Sequence, residues 1–91
     1  MIEITAVSFG DSRAHEHITA VLWRSASTPA GHSAREAIVA WLDAPGANEA
    51  VVADGADYVQ VAVVRPASGA SYLRTQVDGV WTDNLLALPR F

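Results

Sequence analysis

The chain has 91 residues, a formal net charge of −4 and no cysteine. A chain of this length buries only about 60% of the surface that its unfolded state exposes, and we predict one domain spanning residues 1–91. Apolar residues make up 51% of the sequence, too large a share for an intrinsically disordered chain. The absence of cysteine excludes a disulfide scaffold, a thiolate metal site and a thiol nucleophile.

All six basic residues are arginine, and ten acidic residues outnumber them. Scattered arginines do not form the basic stripe that phosphate neutralisation needs, so the composition argues against nucleic acid as a partner. Abundant alanine with arginine as the basic residue is typical of a GC-rich genome, such as an actinobacterial one. The chain begins without the features of a signal peptide and has no run of roughly 20 apolar residues. We therefore expect a soluble, cytoplasmic protein with no membrane partner.

Two strands are predicted before the helix. Met1–Phe9 has apolar residues on both sides of a period-two pattern, which is typical of a strand away from the sheet edge. Gly10–Arg13 is a turn, and His17–Trp23 alternates in the same way, so these two strands are expected to pair as an antiparallel hairpin. Ser25–His32 is rich in Ser, Thr, Pro and Gly and is predicted to be a loop.

The clearest helix signal follows this loop. Ser33 and Glu36 fit a capping box, in which the serine hydroxyl accepts from a backbone amide and the glutamate carboxylate reaches back to the cap amide. An apolar stripe with helical spacing is formed by Ala34, Ala37, Ile38, Trp41 and Leu42. Pro45 and Gly46 end the helix. About ten helical residues are too few to be stable alone, so we expect this stripe to dock on a sheet.

Four strands with short connections are predicted after the helix, at Ala50–Ala53, Tyr58–Arg65, Ser71–Val77 and Val80–Thr82. Asp78 and Gly79 suit a type I′ hairpin, which needs positive φ at both central positions. Asp83 can cap one helical turn, which Pro89 ends. The predicted order is therefore ββ-α-ββββ: an α+β fold with a mostly antiparallel sheet and one helix packed on one face.

His15 and His17 form an H-x-H pair. On a strand, both imidazoles would lie on one face about 7 Å apart along the chain, a spacing at which they can share one metal ion. A third ligand would come from elsewhere, and the candidates are His32, Asp11 and Asp83. The alternative, which we favour because so short a motif is unspecific, is that the histidines bond to neighbours or face solvent. We expect no cofactor, and metal is not the expected partner.

A second polar group surrounds the last hairpin and contains Asp78, Asp83, Arg74 and Asn84. Paired carboxylates can divide into acid and base where their environments separate the two pKa values. Each residue also has a structural explanation, since Asp78 suits its turn, Asp83 suits a cap and Arg74 can pair with either. No serine lies in a G-x-S-x-G elbow and no glycine-rich phosphate loop is present. We therefore expect no catalytic residues, and an enzyme is the less favoured class.

The aromatic residues number seven, which is many for so small a core. Trp41 belongs to the core by its helical register. Trp81 precedes polar residues and is either core, the favoured interpretation, or a partner-facing anchor, because interfaces favour Trp and Arg. The apolar tail either packs on the domain or binds a partner, and its residues are Leu85, Leu86, Leu88 and Phe91. The residues without a settled structural explanation form the predicted partner-binding face: Arg74, Trp81, Asp83, Asn84 and Phe91.

Several segments resemble one family. These segments read HEHI, YLRT, DG and WTDNLLALP, at His15–Ile18, Tyr72–Thr75, Asp78–Gly79 and Trp81–Pro89. Together they resemble the signature of a family of small bacterial and actinobacteriophage proteins of unknown function. The resemblance implies a stand-alone domain with no assigned reaction, cofactor or catalytic residue. It also implies a phage or prophage accessory setting, in which some small proteins act by binding a host protein.

Three functional hypotheses follow from these observations. The favoured one is a non-enzymatic protein-interaction module that binds a host protein or self-associates. The second is a small metal-binding protein or enzyme that uses His15 and His17. The third is a nucleic-acid or nucleotide binder that uses Arg13, Arg24, Arg65 and Arg74. Because Tyr72–Phe91 is needed to complete the fold, we also predict that truncation before Trp81 unfolds the domain.

Overall fold

The computed structural model describes the whole chain, residues 1–91, and contains seven strands and one α-helix. The strands are β1 (Ile2–Phe9), β2 (Ile18–Arg24), β3 (Gly31–Ala34), β4 (Ala50–Asp54), β5 (Asp57–Val64), β6 (Tyr72–Val77) and β7 (Val80–Thr82). The helix α1 (Arg35–Asp43) lies between β3 and β4, and a single 3₁₀ turn, His15–His17, lies between β1 and β2. This helix is too short and too polar to cross a membrane.

All seven strands belong to one sheet in the order β3-β2-β1-β4-β5-β6-β7. Every neighbouring pair is antiparallel except β1 and β4, which run parallel. A parallel pair needs a long crossover, and here the crossover consists of β2, β3 and α1. The prediction of a mostly antiparallel sheet with one helix is confirmed, and the parallel pair at its centre makes the sheet mixed.

The predicted order ββ-α-ββββ is wrong, because three strands rather than two precede the helix. The segment Gly31–Ala34, whose first half was predicted as loop, forms β3 and pairs antiparallel with β2 from Trp23↔Gly31 to Ala20↔Ala34. Its four residues have neither β-branched side chains nor apolar alternation, so no local signal identifies them as a strand. They pair because the neighbouring strand β2 offers backbone groups along its otherwise unpaired edge.

The predicted capping box is also wrong. Ser33 lies in β3, Ala34 is the N-cap of α1, and no side chain bonds to the helix start. The Ser33 hydroxyl instead accepts a hydrogen bond from the Trp23 indole N–H at 3.1 Å. The Glu36 carboxylate accepts from Arg35 Nε at 2.9 Å. Pairing with β2 therefore displaces the helix start by about one residue, a typical uncertainty of helix boundaries.

The core lies between α1 and one face of the sheet. Cross-strand pairing aligns on this face one row of residues from β1, β4, β5, β6 and β7: Ile2, Ala50, Val61, Thr75 and Thr82. The helix contributes Ile38 to the buried cluster, with Trp41 and Leu42 packed against it, so docking is confirmed for these three residues of the predicted stripe. Its other two members do not dock, since Ala34 lies in β3 and Ala37 is exposed. The opposite face carries another cross-strand row: Glu3, Val51, Gln60, Gln76 and Trp81.

The C-terminal segment returns from the sheet edge to its centre. After β7, residues 83–88 form a turn with successive i→i+3 backbone bonds, beginning with Leu86 N–H to the Asp83 carbonyl at 3.0 Å. The backbone then pairs with β1, where Val7 N–H donates to the Pro89 carbonyl at 3.0 Å and Phe91 N–H donates to the Val7 carbonyl at 3.2 Å. Leu85 is fully buried within the core. The tail therefore packs on the domain.

Candidate functional site

The two histidines of the H-x-H motif do not have the strand geometry on which the metal hypothesis depended. His15 and His17 lie in the 3₁₀ turn, where residues two apart do not share a face as they do in a strand. His17 Nδ1 is hydrogen-bonded to the Ser12 hydroxyl, whereas the His15 ring is buried. No group of three or more His, Cys, Asp or Glu side chains is arranged to hold a metal ion.

His15, Arg74 and Asp83, here called the His15 cluster, come together from three separate segments. Arg74, on β6, donates from its Nη2 to Asp83 Oδ1 at 2.8 Å and from its Nε to the Thr82 carbonyl at 3.1 Å. His15 Nε2 lies 3.8 Å from the same Asp83 oxygen. The sequence had placed Asp83 among the candidate partners of the histidines and also beside Arg74. His17 and Trp81 take no part in the cluster.

The turn between β6 and β7 explains why Asp83 lies next to Arg74. The hairpin between β6 and β7 has positive φ at both Asp78 (51°) and Gly79 (80°), as the sequence predicted for a type I′ turn. This register brings Arg74 alongside the end of β7. The helical turn predicted after Asp83 is present, but the Asp83 carboxylate bonds to Arg74 rather than capping it.

Burial decides the charge state of His15. The residue is 7% exposed, and its Nε2 is buried without a hydrogen-bond partner. Burial, followed by the nearby Arg74 guanidinium, lowers the pKa of His15 below its ordinary value of 6.5, while Asp83 and Glu16 oppose that shift. The ring is therefore neutral at neutral pH, and Asp83 forms its ion pair with Arg74.

We expect the free energy of unfolding to fall as the pH drops below about 6.5. The unfolded chain takes up a proton on His15 at its ordinary pKa of 6.5, whereas the lowered pKa in the folded state resists protonation. The free energy of unfolding therefore has its full value above pH 6.5, and it falls as the pH drops from 6.5 to the folded-state pKa. The measurement is urea unfolding at a series of pH values between neutral and mildly acidic.

Two variants isolate this effect. His15→Gln removes the titrating ring, so its stability should lose the slope below pH 6.5 that the wild type shows. His32→Gln removes an exposed histidine on β3 and should keep that slope. A wild-type slope that survives in His15→Gln would show that another group is responsible.

A hydroxyl and amide network lies beside the His15 cluster. Thr75 on β6 is fully buried, and its Oγ1 lies 2.6 Å from the Thr82 Oγ1 on β7. The Thr82 hydroxyl donates to Asn84 Oδ1 at 2.7 Å, and the Asn84 backbone N–H donates to Thr75 Oγ1 at 3.2 Å. Asn84 Nδ2 reaches Asp54 Oδ2 at 3.3 Å. Asn84, a predicted partner-binding residue, therefore makes its main contacts within the chain.

Three residues of this network were not predicted from the sequence: Thr75, Thr82 and Asp54. A usable signal was present for the two threonines. A two-residue hairpin fixes the pairing of its strands, and counting outward from Asp78 and Gly79 places Thr75 opposite Thr82. Cross-strand Thr–Thr pairs commonly form hydrogen bonds. No comparable spacing relates Asp54 to Asn84, which are thirty residues apart.

The exposed apolar side chains include three on the last hairpin, here called the hairpin surface: Val77, Val80 and Trp81. They are 46%, 66% and 41% exposed, respectively. Trp81 was favoured as a core residue, and its exposure makes that interpretation wrong. Val77 pairs with Val80, and Trp81 pairs with Gln76, so the valines and the indole lie on opposite faces of the hairpin. Phe91, also predicted to bind a partner, is 50% exposed at the C-terminal end.

The arginines are engaged within the chain. Each of the six contacts an acidic side chain, a backbone carbonyl or an aromatic ring. Arg13 donates to a backbone carbonyl, and Arg90 lies over the ring of Phe9. The other four form ion pairs with acidic side chains: Arg24, Arg35, Arg65 and Arg74. Several of these contacts are exposed, so they contribute little to stability. They nevertheless leave the arginines dispersed and largely paired with acidic side chains instead of gathered in one basic patch. This does not favour the nucleic-acid hypothesis.

Fold and site together define a small α+β domain whose polar residues largely bond to each other and whose apolar hairpin is exposed. The chain matches the family described as "Protein of unknown function (DUF3892)" over residues 3–89, so it belongs to that family. The resemblance to a family of unknown function is thereby confirmed, while the phage and actinobacterial setting stays a prediction. No curated protein and no solved structure matches the chain.

Proposed function

We propose that this chain is a non-enzymatic protein-interaction module that binds another protein, or a second copy of itself, through the hairpin surface. The observation that carries the proposal is the exposure of Val77, Val80 and Trp81 on a hairpin at the edge of the sheet. A phage or prophage accessory protein that binds a host protein fits this proposal and is its expected setting.

The edge strand itself supports this mode of binding. β7 forms one edge of the sheet and contains no charged residue, no proline and no bulge, so its short length of three residues is the one edge-protecting feature that it has. Its backbone pairs with β6 on one side, and its other side faces away from the sheet. An extended segment of a partner can add to such an edge through backbone hydrogen bonds, while apolar side chains on both faces supply contact area.

The polar groups support binding over catalysis. Asp83 is paired with Arg74, and Asn84 is bonded to both threonines of the adjacent network. The unpaired nitrogen of the cluster, His15 Nε2, is buried from solvent. A general acid or base must reach the proton that it transfers. The arrangement is therefore better suited to holding the hairpin in place than to catalysing a reaction.

We expect Trp81→Ala to weaken partner binding about tenfold or more, because an indole at the centre of an interface commonly contributes about 2 kcal/mol. Because Trp81 is 41% exposed and the rest of the indole is buried, circular dichroism and urea unfolding of the variant establish that it is folded under the binding conditions. Self-association is measured by light scattering at micromolar concentrations. Binding to a separate protein is measured by comparing what wild type and Trp81→Ala retain from a bacterial lysate, followed by titration of the purified partner.

Tyr58→Ala provides the matched control. Tyr58 is an aromatic residue on β5 that is 63% exposed and lies outside the hairpin surface. The Tyr58→Ala substitution should leave both self-association and partner binding unchanged. Equal losses in Trp81→Ala and Tyr58→Ala, or a strict monomer that retains no partner, would refute the proposal.

A further inference from the structure

A cavity of about 540 Å³ opens between α1, the start of β1 and the loop that joins β2 to β3. Its size lies within the range of about 300–1,000 Å³ that is common for small-molecule sites. Residues from the sheet form its floor, α1 forms one wall, and residues 25–28 form its rim. The hairpin surface contributes nothing to it, so its function is separate from the proposed protein binding.

The floor of the cavity is an indole that is held in one orientation. Trp23 Nε1 donates to Ser33 Oγ at 3.1 Å across the β2–β3 pair. The ring lies against Gly31, where an added Cβ would come within 2.7 Å of Trp23 Cζ2. Glycine at position 31 therefore leaves the space that the indole occupies. Together these contacts fix the position of Trp23 before any ligand arrives, which lowers the entropic cost of binding.

The helix wall is incompletely packed. Ile38 is 5% exposed and belongs to the core, and Trp41 is half-buried beside the cavity. Ala37 was predicted to belong to the apolar stripe of α1, and it lies exposed at the cavity. Two indoles, Trp23 and Trp41, therefore border a space that the protein's own side chains leave open.

The rim supplies hydroxyl groups on an ordered turn. Ser25 N–H donates to the Thr28 carbonyl at 2.8 Å, and Thr28 N–H donates to Ser25 Oγ at 3.1 Å. The hydroxyls of Ser25 and Ser27 are 3.3 Å apart. Each of these hydroxyl groups has capacity for a further hydrogen bond. The rim can therefore bind a polar substituent of a ligand whose body lies against the indoles.

The lining disfavours ionic ligands by its composition. None of its eleven residues has an Asp, Glu, Lys, Arg or His side chain, and its one charged group, the α-ammonium of Met1, belongs to a residue that is 70% exposed, so solvent screens that charge. A charged ligand would lose hydration on entering without gaining an opposite charge from these side chains. Aromatic ligands gain more than aliphatic ones, because offset-stacked and edge-to-face contacts with an indole add to the apolar area buried.

We propose that this cavity binds a small, uncharged aromatic molecule bearing a hydrogen-bonding group, held between Trp23 and Trp41 with its polar group at the Ser25–Thr28 rim. The ligand is thus defined by three properties: neutrality, an aromatic ring and one hydrogen-bonding group. Each property corresponds to one part of the lining described above.

The test uses the ¹⁵N-labelled full chain and four probes: indole, tryptamine, indole-3-acetate and cyclohexanol. The three tryptophans give three indole N–H signals, which serve as internal reporters. Titration with indole should shift the signals of Trp23 and Trp41 in a saturable manner and leave that of Trp81 unchanged. Tryptamine and indole-3-acetate add a charge, cyclohexanol lacks an aromatic ring, and each should bind about tenfold more weakly.

Two alanines of α1 provide matched variants. Ala37→Phe fills the cavity and should abolish the saturable shift. Ala40→Phe places the same ring at an exposed position of α1 that does not line the cavity and should preserve binding. Ser33→Ala, which removes the acceptor of the Trp23 N–H, should weaken binding while the chain stays folded.

Several results would overturn the proposal. They are the absence of a saturable shift at millimolar indole, equal affinity for the charged or aliphatic probes, and equal loss in the two phenylalanine variants. Shifts of the Trp23 and Trp41 signals on raising protein concentration without probe would assign the cavity to a second copy of the chain instead. Because light scattering of Trp81→Ala reports separately on the hairpin surface, failure of this proposal is distinguishable from failure of the protein-interaction function.

Discussion

Leu85→Ala is expected to lower the free energy of unfolding by about 2–5 kcal/mol, the usual range for truncating a fully buried leucine. Leu85 is 0% exposed and belongs to the buried cluster, although it lies in a turn outside every strand and helix. Domains are stable by only about 5–15 kcal/mol, so this one side chain accounts for a large share of the total. Urea unfolding followed by circular dichroism measures the change.

Deletion of residues 83–91 extends this prediction. It removes Leu85, the two backbone bonds between Val7 and the tail, and the Asp83 partner of Arg74. The deleted chain should lose cooperative unfolding altogether, as should the longer truncation before Trp81.

Phe91→Ala provides the control for the tail, because Phe91 is 50% exposed and its truncation should change stability by no more than about 0.5 kcal/mol. If Leu85→Ala were as mild as Phe91→Ala, or if the chain without residues 83–91 unfolded cooperatively, the tail would not be part of the core.

Thr75→Val is expected to lower the free energy of unfolding by about 1–3 kcal/mol, although valine has nearly the same shape. The substitution removes the hydroxyl that contacts the Thr82 hydroxyl at 2.6 Å and accepts from the Asn84 N–H at 3.2 Å. Since Thr75 is fully buried, water cannot replace the lost bonds at that position. Thermal and urea unfolding of the purified variant measure the loss.

Thr5→Val is the matched control for Thr75→Val. Thr5 lies on β1, is half-buried and makes one hydrogen bond, to the Leu22 carbonyl at 3.3 Å. Its loss should be smaller than that of Thr75→Val, and a double-mutant cycle of Thr75→Val with Asn84→Ala should show coupling between the two residues. Equal effects at the two threonines, or no coupling, would contradict the role of the network.

Local patterns identified most of the strands. Period-two apolarity marked β1, β2 and β5, and Asp78 with Gly79 marked the turn between β6 and β7. These signals work because side-chain alternation and positive φ depend on a few neighbouring residues.

The missed strand β3 and the false capping box at Ser33 have one common cause. Both depend on the pairing with β2, which no local pattern of Gly31–Ala34 encodes.

The candidate site was predicted in part. Arg74, Asp83 and Asn84 were recognised as polar residues near one hairpin, and the structure places all three in contact with their neighbours there. The burial of His15 was not predicted, and its approach to Asp83 was only one of three candidate pairings. These two residues are 68 positions apart, and their contact depends on how the β1–β2 connection packs against β6.

The sequence by itself determined the class of this protein: an acidic α+β domain without cysteine, with a mostly antiparallel sheet, one docked helix and a type I′ hairpin near its C-terminus. These properties follow from composition and from interactions between residues close in the chain. The tertiary structure alone decided that the tail pairs with β1, that His15 is buried beside Asp83, and that a cavity opens at Trp23. Each of these depends on contacts between distant segments, which form only when the sheet and helix pack together.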